Sequence, residues 1–167
     1  MGLFNRGDDT LRYQMREKIF SIGDDSWIED SNGAKAFKVD GKALRVRNTF
    51  LMEDAQGNEV ASVQQKMLHV KDTMEIERGG AKVATIQKAL IAPLRERFKI
   101  DLAAGGSWEA QGNIVDHEYE IKDGRDKIAE VSKKWFRVRD TYGIEVEPGH
   151  DVGLVLAVAA AIDEMRR

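Results

Sequence analysis

Between Val152 and Ile162 every residue except Gly153 is apolar, and the rest of the chain must supply somewhere for that run to go. Ala157 and Ala159 to Ala161 favour helix, Asp151 is placed to cap the start, and Asp163, Glu164, Arg166 and Arg167 restore polarity afterwards. A helix that is apolar on all sides is enclosed either by protein or by lipid. Length separates the two, because the run spans only roughly 16 Å, about half of a bilayer's hydrocarbon core. The sequence therefore predicts a helix buried in protein, with Val152, Leu154, Val155, Leu156, Val158 and Ile162 inside, and no transmembrane span.

What precedes this run has the period of sheet. Phe50 and Met52 extend an alternation begun by Leu44 and Val46, with Arg45, Arg47 and Thr49 on the other face. Met74 and Ile76 alternate in the same way with Thr73, Glu75 and Glu77. Turn signals recur at Asp30-Ser31-Asn32-Gly33, Asp54-Ala55-Gln56-Gly57, Gly79-Gly80, Gly105-Gly106 and Asp123-Gly124. This spacing predicts about twelve short strands and a mainly β fold, an antiparallel barrel closed around the C-terminal helix. A barrel of that width needs a filling, and Leu68, Val70, Phe136 and Val138 are expected to pack around the helix. The prolines, Pro93 and Pro148, fall at expected strand boundaries.

At an offset of 68 residues, Val60, Ala61, Val63, Lys66, Val70, Asp72, Thr73 and Ile76 align with Ile128, Ala129, Val131, Lys134, Val138, Asp140, Thr141 and Ile144. A looser echo relates Phe20, Ile22, Trp27 and Gly33 to Phe98, Ile100, Trp108 and Gly112. The expected organisation is a flexible tail over residues 1–10 and one domain over 11–167 built from two half-repeats. Cysteine is absent, which removes disulfides and thiolate metal sites. The first ten residues lack the apolar core of a signal peptide, so a cytoplasmic address is expected, with peripheral membrane contact. A net charge of −3 opposes a nucleic-acid partner.

The order of Tyr13-Gln14-Met15-Arg16-Glu17-Lys18, Gly23-Asp24-Asp25, Asp30 to Gly33, Phe37-Lys38-Val39-Asp40-Gly41-Lys42, Asp54 to Gly57 and the closing Asp151 to Ile162 stretch resembles the LURP-one-related family. That resemblance implies the tubby-like fold shared with the phospholipid scramblases, a twelve-stranded barrel around a central helix. It also implies, by analogy with tubby-like domains, a headgroup-binding role.

The candidate binding residues lie in Lys133-Lys134-Trp135-Phe136-Arg137-Val138-Arg139. As a strand, this segment would present Lys133, Trp135, Arg137 and Arg139 on one face, with His69 and Lys71 on the equivalent face of its repeat mate. Such a face suits an acidic lipid headgroup or a phosphorylated small ligand, the forked arginine donors gripping the anion and the indole forming an apolar lip. The plainer reading is a solvated face paired with Glu75, Glu77 or Glu145, and Arg95, Arg97 and Lys99 fit that plainer reading too. His69, His117 and His150 lack metal-ligand spacing, and Asp30 to Gly33 resembles a calcium loop without its later acidic ligands. No nucleophile elbow or phosphate loop is present, so neither a catalytic residue nor a cofactor is expected. The leading expectation is a noncatalytic binding module. The alternative is a protein-interaction domain using an exposed barrel edge or Trp27 and Trp108, and the third is an enzyme with a pocket at one barrel mouth.

Overall fold

A computed structural model describes residues 11–16, 25–40, 49–66, 73–92, 95–136 and 140–165; the expected tail over 1–10 lies outside them. In chain order the strands are β1 (Leu11–Arg16), β2 (Asp25–Asp30), β3 (Lys35–Asp40), β4 (Thr49–Asp54), β5 (Glu59–Lys66) and β6 (Thr73–Arg78). They continue with β7 (Ala81–Ala92), β8 (Arg95–Leu102), β9 (Ser107–Asn113), β10 (Glu118–Asp123), β11 (Asp126–Ser132) and β12 (Thr141–Val146). The helix α1 (Val152–Met165) follows, the one helix among the described residues. Each strand pairs antiparallel with its neighbours, and β1 closes the ring on β12 from Leu11↔Val146 to Arg16↔Thr141.

Alternation builds the wall as expected. Phe50, Met52, Val63, Met74, Ile76, Ile86, Phe98 and Ile100 point inward and are fully buried. The aligned segments of the 68-residue repeat fall on β5–β6 and β11–β12, six places apart round the ring. In the looser echo, Trp27 lies on the outer face beside the inward Ile28, whereas Trp108 is 7% exposed and belongs to the core.

Tight turns join β2 to β3, β4 to β5, β6 to β7, β8 to β9 and β10 to β11 at one end of the barrel. Two of them repeat one device. The Asp30 carboxylate accepts hydrogen bonds from the backbone N–H of Asn32 (2.9 Å) and Ala34 (3.0 Å), and that of Asp54 accepts from Gln56 and Asn58 (both 2.9 Å). Gly33 and Gly57 take the positive φ that this turn requires. These donors, Asn58 foremost, hold the Asp54 carboxyl below its ordinary value. The likeness of Asp30 to Gly33 to a calcium loop is thus turn chemistry.

The helix enters at this same end. Asp151 caps it as the sequence predicts, its carboxylate accepting the Leu154 N–H (3.2 Å) while its carbonyl takes the first intrahelical bond from Val155. Arg78, beside the β6–β7 turn, forks onto the same carboxylate and donates from Nε to the Val60 carbonyl (2.9 Å). Gly153 allows the close approach, since a Cβ there would meet Val60 Cγ1 at 2.5 Å. From Val155 to Asp163 every helix residue is buried, and Val152 and Leu154 are half-buried near the entrance. Fully burying Val155, Leu156, Val158 and Ile162 at about 1.5–3 kcal/mol each contributes roughly 6–12 kcal/mol, as much as the whole net stability of an ordinary domain.

One core expectation fails. Phe136 does not line the interior but lies with Trp135 over Gly143, whose missing side chain points outward between the buried Tyr142 and Ile144. Leu68, Val70 and Val138 lie outside the described residues.

Candidate functional site

Of the strand expected over Lys133 to Arg139, the described part, Lys133 to Phe136, is not extended. β11 stops at Ser132, and a turn follows in which the Phe136 N–H bonds to the Lys133 carbonyl (3.3 Å). The cause is local: the Ser132 hydroxyl accepts the Lys134 N–H (3.0 Å) and the Glu118 carboxylate accepts the Lys133 N–H (3.0 Å), which takes both donors from any ladder. Lys133 and Trp135 therefore do not share a strand face. Arg137, Arg139, His69 and Lys71 lie outside the described residues. Trp135 is held by its neighbours: its ring packs over Gly143, and the Arg12 guanidinium stacks on it at 4.7 Å. Arg12 also forms an ion pair with Glu145, with Nε 2.8 Å from the carboxylate. Glu145, expected to neutralise the Lys133 segment, is thus spent on β1.

That arrangement leads to a different site centred on β1. With Tyr13 and Met15 turned inward, Arg12, Gln14 and Arg16 form the outer face. Trp135 flanks this face above β12 and Trp27 flanks it on β2, two strand spacings or roughly 10 Å across. Among the described residues β1 and β2 pair only at Tyr13↔Asp30 and Gln14↔Glu29, although both strands continue, β1 to Arg16 and β2 back to Asp25. Where pairing stops, the wall holds a cleft of about 380 Å³ lined by Gln14, Arg16, Ser26, Trp27, Glu29, Lys35 and Thr141. Lys35 Nζ stands 5.0 Å from the Trp27 ring. Ion pairs among the described residues join other groups and leave Arg16, Lys35 and Glu29 to solvent. Two cations, a carboxylate, an amide and an indole thus converge on one concave place of ligand size.

A second feature is internal. His117, in the β9–β10 connection, places Nε2 2.8 Å from Asp163 Oδ1 of α1, and both side chains are 1% exposed. The imidazole stacks on Tyr142 at 4.1 Å, and Tyr142 Oη donates to Met15 Sδ (2.9 Å). This pair ties the far end of the helix to the barrel. Residues 46 apart with no shared motif give no sequence signal, and a lone His reads only as a core histidine. The cleft was also missed, although the outward positions of residues 11–16 carry the alternation that could have found it.

Arg97 and Lys99 face water near Glu109 (3.8 Å) and Asp101 (3.5 Å). No cluster of three His, Asp or Glu residues suited to a metal occurs among the described residues. Trp108 is buried in the core while Trp27 stays on the outer face, and among the described residues β1 and β12 pair to close the ring. No helix among the described residues is long and apolar enough to cross a membrane.

The closed antiparallel ring, its helical filling and a polar cleft in the wall define a helix-filled β-barrel domain. More particularly, the chain belongs to the LURP-one-related family, whose model matches residues 11–163. It is similar to the uncharacterized protein YxjI of Bacillus subtilis (strain 168), with 30% identity over 149 residues, covering 89% of this chain and 90% of that one. It is also similar to the X-ray structure of protein AT5G01750 of Arabidopsis thaliana, with a TM-score of 0.71 and 15% identity over 95% of this chain and 92% of that chain, a likeness of fold.

Proposed function

We propose that this chain is a noncatalytic intracellular binding module that takes an anionic ligand, the phosphate of a lipid headgroup or of a soluble phosphorylated molecule, in the cleft between β1 and β2. The carrying observation is that Arg16 and Lys35 reach one cleft from opposite sides without an ion-pair partner there. Guanidinium and ammonium groups so placed bind phosphate oxygens with charge-assisted hydrogen bonds, and Trp27 supplies an apolar wall beside them.

Vesicle cosedimentation tests this reading, with phosphatidylcholine alone and with added phosphatidylserine, beside calorimetric titration of soluble phosphate esters. A basic side chain near an anionic surface contributes about 1 kcal/mol, so Arg16→Gln with Lys35→Gln should weaken binding roughly 30-fold, and added salt should do likewise. Binding to vesicles identifies a headgroup as the source, and binding to esters alone identifies a soluble ligand. If neither probe binds, or the double variant binds as well as the native chain, the reading is overturned.

A further inference from the structure

The cleft is not uniformly basic. Glu29 lines it together with Arg16 and Lys35, and its carboxylate belongs to no ion pair among the described residues, although Lys35 is its register partner across β2 and β3. Lys35 instead lies over the Trp27 ring. A simple anion bound against Arg16 and Lys35 would share a cleft of about 380 Å³ with this negative charge. In so small a space a like charge weakens binding by a factor on the order of ten even with solvent screening. A ligand that carries an ammonium group as well as an anion turns the same contact with Glu29 into an attraction.

Resting on the anion-binding reading above, we infer that the cleft between β1 and β2 takes a zwitterionic ligand, its phosphate or carboxylate end against Arg16 and Lys35 and its ammonium end against Glu29. Gln14 offers both a donor and an acceptor between the two charged ends. The volume of about 380 Å³ fits a headgroup-sized molecule. The opposed charges make the cleft selective, because a bare anion leaves Glu29 opposed and a bare amine leaves Arg16 and Lys35 opposed.

The experiment titrates the intact chain with O-phosphoethanolamine, inorganic phosphate and ethanolamine, and in a parallel arm with phosphatidylethanolamine vesicles. The expected result is that O-phosphoethanolamine binds roughly tenfold tighter than phosphate, with ethanolamine weakest. Glu29→Gln should abolish that preference by weakening O-phosphoethanolamine and strengthening phosphate, whereas Arg16→Gln should weaken both. Vesicle binding in addition makes the zwitterion a lipid headgroup, and its absence makes the zwitterion a soluble molecule. If phosphate binds as tightly as O-phosphoethanolamine and Glu29→Gln leaves their ratio unchanged, the zwitterion inference falls while anion binding stands. If no probe binds, both fall. Glu29 is a surface side chain, and an unchanged melting temperature of Glu29→Gln shows that the variant is folded.

Discussion

Asp163→Ala removes a carboxyl that ties the far end of α1 to the barrel wall through His117. The native contact is 2.8 Å long and both side chains are 1% exposed, so water cannot replace the lost partner without opening the core. Leaving a buried hydrogen-bonding group without its mate costs about 1–3 kcal/mol, and with both side chains 1% exposed the upper end, about 3 kcal/mol, is expected. For a domain of this size that lowers Tm by roughly 6–12 °C. His117→Asn is the matching change on the other side, because His117 has φ 54° and asparagine tolerates that backbone, so the variant reports loss of the ring rather than backbone strain. Urea denaturation of both single variants and of the double variant completes a cycle. If the pair acts as a unit, the second change should cost about 1.5–3 kcal/mol less in the presence of the first. Additivity within about 0.5 kcal/mol would refute the argument and show that Asp163 and His117 are held by other contacts.

The Asp151 carboxyl is held below its ordinary value, chiefly by the hydrogen bonds from Arg78. Its contribution is therefore complete above the unfolded carboxylate pKa and is lost as pH falls through the lower folded value. Asp151→Asn should flatten the acid limb of Tm against pH and cost up to about 1 kcal/mol at neutral pH, mostly as the lost, partly exposed ion pair with Arg78, since asparagine still caps the helix; an unchanged acid limb would count against the Arg78 contact. Gly143→Val should push Trp135 and Phe136 off the outer face at a cost of about 1–3 kcal/mol, seen in a Trp27→Phe background as a red-shifted emission, and unshifted emission would contradict the packing. Asp30→Ala and Asp54→Ala should each cost about 1 kcal/mol and add when combined, as measured by thermal melts, because the two turns share no contact.

The fold was legible because its signals are local. Phe50 and Met52, or Met74 and Ile76, declare an inward face within one strand, and the Asp30 and Asp54 turns declare their reversals within five residues. The enclosure of α1 followed from the length of its apolar run. The site was far less legible, because its groups come from β1, β2, β3 and β12 and meet only where the ring closes. Lys133 and Trp135 drew notice through local density of charge and aromaticity. That density was misread as a strand, since nothing near Ser132 in sequence announces that Glu118 will capture the Lys133 N–H from fifteen residues away.

Every strand of the ring is synthesised before the segment that occupies its centre. Until Val152–Met165 leaves the ribosome, the inward faces of β5, β6, β7 and β12, against which the helix later packs, have only each other. The β1–β12 seam, bridged by Arg12 and Glu145 at a separation of 133 residues, likewise waits for the end of β12. A nascent chain of this design passes through a long interval as an unfilled, sticky sheet, which makes slow folding and recruitment of chaperones a cost written into its topology.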